Sequence, residues 1–182
     1  MQIQDASGSG YGAKVDNQHR VWTDSVIRKC ITEASMERGE AYIWTATADW
    51  GADKNALWIR NDSQNRMLHI ERVVACPAAT AVIEIWVGTG NTVGGTAVVG
   101  ACLNRANINT PDVTARHTNT NVDAGSGMTL LATYHCPATT VHDIPLDGAL
   151  MLGYYDEVAI NIVTDVASTT FNIHGWCSVA KQ

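Results

Sequence analysis

Charged residues are scarce in this chain, and their scarcity excludes several kinds of partner. Only 16% of its 182 residues are charged, against about 25% in an average soluble domain. The net charge is −6, and Lys181 is the only basic residue after Arg116. A protein that binds nucleic acid needs a basic stripe that neutralises phosphates. Nucleic acid is therefore not expected as a partner.

Long apolar runs and closely spaced cysteine pairs are also missing. No segment approaches the roughly 20 apolar residues of a membrane helix, so no membrane span is predicted. The opening MQIQDASGSGYGAK has no positive segment followed by an apolar one, so no secretory signal is predicted and synthesis in a cytoplasm is expected. Dispersed cysteines without a CxxC pair indicate neither a disulfide framework nor a zinc site, and we expect small core residues instead. The five are Cys30, Cys76, Cys102, Cys136 and Cys177.

Motifs of known catalytic sites are absent as well. The chain has no GxSxG, no HExxH and no phosphate-binding loop. Its six histidines stand singly, although His135 and His142 would face each other if they lay in one hairpin. The adjacent Asp156 and Glu157 would point to opposite faces of a strand or lie together in a turn, unlike the spaced carboxylates of glycoside hydrolases. We therefore predict no catalytic residue, no metal site, no cofactor and no enzyme activity.

From residue 40 onward, the chain has the alternation of β-strands. Hydrophobic residues make up 46% of the sequence, and Gly, Asn, Asp and Pro separate the apolar segments. The pattern predicts an all-β fold, an antiparallel β-sandwich of jelly-roll type with eight strands in two sheets. The polar stretch 104–127 is predicted to be an excursion between strands that faces a partner. The strand candidates are 40–47, 55–61, 67–76, 80–88, 96–104, 128–135, 148–155, 158–165 and 169–180.

The N-terminal part differs from the rest. Residues 1–36 have isolated apolar positions but no sustained period, so we predict an extended N-terminal arm that cannot fold alone. The segment 23–38 fits a helix that begins at Thr23 or Asp24, and it fits a strand almost as well. We leave its conformation open. The predicted organisation is an arm at 1–36 and a sandwich domain at 40–182.

Six tryptophans are many for this length. Trp44, Trp58, Trp86 and Trp176 lie within strand patterns and are expected in the sheets. Trp22 lies in the arm and Trp50 is expected in a polar loop, so both rings need a partner surface. With the apolar positions of the arm they form the predicted contact residues, which are Ile3, Tyr11, Val15, Trp22 and Trp50.

Three segments resemble a family of tailed-bacteriophage virion structural proteins. They are IQDASGSGYGAKVDNQHRVWT, EASMERGEAYIWT and ALWIRNDSQNRMLHIERV, within the first 75 residues. The C-terminal LDGALMLGYYDEVAINIVTDVASTTFNIHGWCSVAK looks like the closing strands of a phage jelly roll. The likeness does not extend to residues 90–145.

The resemblance implies a capsid decoration or cement protein, or the head-anchored part of a fibre. Such a protein would be made in the host cytoplasm and lie on the capsid surface of the virion, bound to the major capsid protein. We expect a homo-oligomer, with a trimer favoured, whose arm clasps its neighbours. The alternative is a phage surface adhesin or fibre-base module that binds a host receptor or glycan. Exposed tryptophans and the 104–127 loop would carry that role, and solvent-exposed aromatic rings flanked by Asn or Asp carboxamides and carboxylates on one concave face would favour it.

Overall fold

The computed structural model consists of β-strands joined by turns and loops. It describes residues 3–4, 12–15, 21–22, 40–50, 54–104, 106, 110–117, 126–164 and 166–179, with the backbone alone at 3–4, 12–15, 21–22, 48–50, 166–167 and 179. None of these segments is a helix long and apolar enough to cross a membrane. The strands are β1 (Ile3–Gln4), β2 (Gly12–Val15), β3 (Val21–Trp22), β4 (Ala41–Trp50), β5 (Lys54–Asn61), β6 (Arg66–Cys76), β7 (Ala81–Thr89), β8 (Thr96–Ala97), β9 (Ala101–Cys102), β10 (Val113–His117), β11 (Thr129–Cys136), β12 (His142–Leu152), β13 (Asp156–Ile162) and β14 (Val166–Val179).

Two large antiparallel sheets contain eleven of these strands. The six-stranded sheet has the order β11-β7-β13-β5-β10-β8, and the five-stranded sheet has the order β12-β6-β14-β4-β9. Eight strands pair in a nested way, since β4, β5, β6 and β7 pair with β14, β13, β12 and β11 respectively. The first half of the domain therefore pairs with the second half in reverse order, and the prediction of an all-β fold is confirmed.

The two sheets share one hydrophobic core. On β7, Ala81, Ile83 and Ile85 are fully buried, while the residues between them are partly exposed. This alternation is the signature of a strand with one face toward a core. The core combines such residues from both sheets, for example Tyr42 and Trp44 of β4, Leu57 and Ile59 of β5, Ile70 of β6 and Phe171 of β14.

The central strand β13 is buried on both faces. Every residue from Glu157 to Ile162 is buried, because the outer face of the six-stranded sheet is covered as well. The neighbouring strand β5 shows the same pattern from Asn55 to Ile59. Burial on the face away from the core marks this part of the sheet as the place where loops pack onto it.

The strand predicted at 148–155 is displaced in the structure. β12 begins earlier, at His142, and includes Pro145, which an edge strand tolerates. A register irregularity follows Pro145, where Asp147 and Gly148 have φ angles of 49° and 66°. Because of this irregularity, the alternation of strand residues is interrupted in the middle of β12, and the sequence pattern predicted only its second part. Tyr154 and Tyr155 lie beyond β12, in a turn.

The polar excursion predicted at 104–127 contains a strand. β10 pairs with β5 at one edge and with β8 at the other, so this part of the segment belongs to the six-stranded sheet. The strand predicted at 96–104 is likewise two short strands, β8 and β9, which join different sheets. The bounds of the predicted strand and of the predicted excursion were therefore wrong. These short strands form because they pair with strands remote in sequence, which a local pattern does not show.

Three of the cysteines are core residues, as predicted. Cys102, Cys136 and Cys177 are buried and free. Cys76 is exposed, contrary to the prediction, because it is the outward-facing last residue of β6. Cys30 lies outside the described residues.

The N-terminal strands form a small sheet of their own. β1 pairs with β2 and β2 pairs with β3, all antiparallel. The ambiguous segment 23–38 lies outside the described residues. The division into an arm at 1–36 and a domain at 40–182 stays a prediction.

Candidate functional site

The predicted contact residues lie on two different sheets where the structure describes them. The backbones of Ile3, Val15 and Trp22 belong to β1, β2 and β3 of the small sheet. Trp50, expected in a polar loop, is instead the last residue of β4 in the five-stranded sheet, because β4 extends to pair with Val166 of β14. Tyr11 lies outside the described residues. The role of these five residues as contacts stays a prediction.

The outer face of the six-stranded sheet carries a second, smaller hydrophobic cluster. Trp86, Ala159 and Trp58 stand side by side on β7, β13 and β5. Val93, from the segment after β7, and Met128, just before β11, pack onto this row. Trp58 is 1% exposed as a result. The loops at this end of the sheet are therefore attached to the strands by aromatic contacts.

A buried carboxylate ties one of these loops to the sheet. Glu157 is fully buried, and its Oε2 accepts a 2.7 Å hydrogen bond from Trp58 Nε1. Its Oε1 accepts hydrogen bonds from the backbone and side-chain nitrogens of Asn91. Burying a carboxylate is costly unless donors satisfy it, and hydrogen bonds to an ionised acceptor are the strong ones. Glu157 therefore holds the segment around Asn91 against the strands.

Arg60 extends this network toward the surface. Its Nε donates to Asp62 Oδ1 at 2.7 Å, and its Nη1 donates to the Asn91 carbonyl at 2.9 Å. Asp62 also accepts a hydrogen bond from the Thr114 hydroxyl. The guanidinium carbon lies 4.9 Å from the centre of the Tyr155 ring, within the range of a cation–π contact. Hydrogen bonds to Asp62 and to the Asn91 carbonyl therefore fix the Arg60 guanidinium against the Tyr155 ring.

Two adjacent tyrosines cap this network at the surface. Tyr154 and Tyr155 are 43% and 42% exposed, and their ring centres are 4.1 Å apart with an angle of 36° between the planes. We call Tyr154 and Tyr155, with the Arg60 and Asp62 side chains below and Gln64 beside them, the tyrosine platform. A hydrogen bond between the two phenols lowers the pKa of Tyr154, which also bonds to Gln64, and raises the pKa of Tyr155.

Tyr155 adopts a backbone conformation that favours glycine. Its φ angle is 63°, at the third position of the turn closed by the hydrogen bond from Asp156 N to Gly153 O. A non-glycine residue in the left-handed region costs about 1–2 kcal/mol. The conformation is held by surrounding bonds: Tyr155 N donates to the Asn61 carbonyl, and its own carbonyl accepts from Gly90 N and Thr89 Oγ1. Such conformations persist where the surroundings over-determine them.

A shallow open cleft of about 290 Å³ adjoins the same turn. Thr89, Met151 and Asp156 are among the residues that line it. Pockets that enclose a small molecule usually measure roughly 300–1,000 Å³. This cleft lies just below that range and is open to solvent, so it does not enclose a small molecule.

Sequence reasoning missed the tyrosine platform. It placed Tyr154 and Tyr155 at the end of a strand and weighed Asp156 and Glu157 only as paired acids. The signal was present in Gly153-Tyr-Tyr-Asp156, because Gly and Asp at this spacing often flank a tight turn. The burial of Glu157 had no local signal, since its donors lie 66 and 99 residues away.

Titratable residues elsewhere do not assemble into a metal site in the described part of the chain. No group of three His, Cys, Asp or Glu side chains there could hold an ion. His135 and His142 lie on strands of different sheets, so they are not hairpin neighbours. His69 stacks flat on Trp176, with ring centres 3.9 Å apart, and its Nε2 lies 2.7 Å from the Ser178 hydroxyl oxygen. Burial lowers the pKa of His69.

Comparison with models of protein families, with curated proteins and with solved structures found no match to this chain.

Proposed function

We propose that the chain is a tailed-phage virion structural protein of jelly-roll type, a decoration or cement protein that binds and stabilises the capsid shell. The observation that supports it most is the nested pairing of eight strands. Within the two large sheets these strands have the orders β12-β6-β14-β4 and β11-β7-β13-β5. This order supports the proposal of a jelly roll, an architecture common in viral shells.

A structural function also agrees with how the best-formed polar cluster is used. Both Glu157 oxygens and both Asp62 oxygens accept hydrogen bonds from neighbouring protein groups. A general acid or base needs to reach a substrate proton. These carboxylates instead fix loops and present aromatic rings, which supports binding rather than catalysis.

Self-association is part of the proposal, with a homotrimer favoured. Leu130 and Leu131 are 42% and 48% exposed on β11, which stands at the edge of the six-stranded sheet. Exposed apolar edge strands invite pairing with another chain. An oligomer that makes several weak contacts with a capsid lattice then binds it with higher avidity than one subunit alone.

The test is co-sedimentation of the full-length protein with undecorated capsid shells, alongside its mass in solution. We expect stoichiometric binding through the major capsid protein. Deleting residues 1–24 removes the whole small sheet, and we expect it to abolish shell binding while leaving the melting temperature nearly unchanged. A stable oligomer that does not bind shells would contradict the proposal. Unfolding of the truncated protein would contradict the role of the arm.

The alternative proposal, a surface adhesin, is favoured by one observation. Tyr154 and Tyr155 are exposed aromatic rings, and Gln64 supplies a carboxamide beside them. A screen of surface glycans tests it directly, because decoration of a shell requires no glycan.

A further inference from the structure

We infer that the tyrosine platform is a binding site for a neutral oligosaccharide. The inference deepens the adhesin alternative and rests on it for its biological role. The site itself is independent of capsid binding, so either can fail without the other. Its support is a strained turn, a fixed cation beneath one ring, and a polar margin around two exposed rings.

The strained turn is the first step of the argument. Glycine or asparagine would adopt the φ angle of Tyr155 with less strain. A bulky ring stands there instead, and three backbone or hydroxyl hydrogen bonds hold it in place. Strained residues of this kind cluster at ligand clamps. The benefit that offsets the strain is the position of the ring itself.

The second step is that the platform is rigid before any ligand arrives. Arg60 lies against the Tyr155 ring and is itself bonded to Asp62 and to the Asn91 carbonyl. The Tyr154 ring is tilted against Tyr155, with ring centres 4.1 Å apart, and Gln64 lies beside its hydroxyl. A surface ordered in advance loses little conformational freedom on binding, which favours weakly held ligands such as sugars.

The third step concerns the class of ligand. The C–H face of a sugar ring packs on an aromatic ring while its hydroxyls need polar partners, and the two Tyr hydroxyls and Gln64 supply such groups at this surface.

Three other classes fit less well. A cationic ligand would meet Arg60, which already contacts the Tyr155 ring. A nucleic acid needs free cations, whereas Arg60 is paired with Asp62 and Asp156 adds negative charge. A stable protein partner buries about 800 Å² on each side, more than two half-exposed tyrosines supply.

The experiment starts with the full-length protein on an array of neutral and acidic mono- to tetrasaccharides, followed by calorimetric titration of each binder. The variants are Tyr154→Ala and Tyr155→Gly. The matched control is Thr139→Gly, because Thr139 is an exposed turn residue with a φ of 57° and no aromatic ring. Both glycine variants relieve a strained backbone, but only one removes a ring.

We expect a neutral saccharide to bind the wild type and Thr139→Gly equally, and each tyrosine variant at least tenfold more weakly. The melting temperature of Tyr155→Gly should not fall, which separates loss of the ring from loss of the fold. Unchanged saccharide affinity in Tyr155→Gly would overturn the inference. So would binding of acidic saccharides alone, or no neutral saccharide bound at millimolar concentration.

Discussion

The two large sheets share a core, yet their outer faces are built differently. The outer face of the six-stranded sheet is covered near its centre by loops, and Trp58, Glu157 and Met128 are buried there. The outer face of the five-stranded sheet carries exposed hydroxyls on β4, although Trp176 is buried on the same face. Thr45 bonds to Asn172 across two strands, and Thr47 bonds to Thr170. One face is therefore covered by loops over a buried carboxylate, whereas the other combines exposed hydroxyls with a single buried indole.

The largest expected difference in stability is between variants of two carboxylates that each accept a hydrogen bond from a tryptophan indole, one at a buried and one at a partly buried position. Glu157 accepts from the Trp58 indole at a fully buried position, and Glu84 accepts from the Trp86 indole at a partly buried one. Glu157→Ala strands buried donors on Trp58 and Asn91, so we expect a loss of about 3 kcal/mol in the free energy of unfolding. Glu84→Ala should lose about 1 kcal/mol or less, because water reaches the freed donor.

Urea unfolding of both variants measures this difference. Glu157→Gln keeps the shape of the side chain and should fall between the wild type and Glu157→Ala, which provides a value if the alanine variant fails to fold. Equal losses for the two alanine variants would mean that the loop network around Glu157 adds nothing to the sheet.

A smaller difference is expected between the indoles of the two faces. Trp58 Nε1 donates to Glu157, whereas Trp176 Nε1 has no hydrogen-bond partner within the described residues. Trp58→Phe should therefore cost about 2–3 kcal/mol, since it removes packing and a donor to a buried carboxylate. Trp176→Phe should cost about 1 kcal/mol or less, because the ring can still stack on His69. Thermal unfolding of the two variants in one buffer compares them, and a larger loss for Trp176→Phe would reverse the ranking.

Sequence reasoning was strongest where one strand face meets the core and weakest where remote residues meet. The alternation of Ala81, Ile83 and Ile85 was enough to predict β7 almost to its ends. The short polar β10 has no such pattern and is a strand only because it pairs with β5. The tyrosine platform depends on the positive φ of Tyr155, which residue preferences argue against. The alternation of residues along the chain therefore predicts the core strands of the two sheets. The tyrosine platform depends on contacts between segments distant in sequence, which that alternation does not show.

The smallest expected effect is a pH dependence that belongs to the five-stranded sheet. Burial lowers the pKa of both His69 and His174, and at His174 the nearby Arg72 lowers it further while Asp143 opposes this. A histidine whose pKa is depressed in the folded state binds its proton more readily when unfolded. Its stabilising effect is therefore complete above the unfolded pKa of about 6.5 and is lost as pH falls toward the folded value. Between pH 7 and pH 5, urea unfolding should show a smaller loss of stability in the double variant His69→Gln/His174→Gln than in the wild type. An equal loss in both proteins would mean that neither histidine contributes to the acid sensitivity.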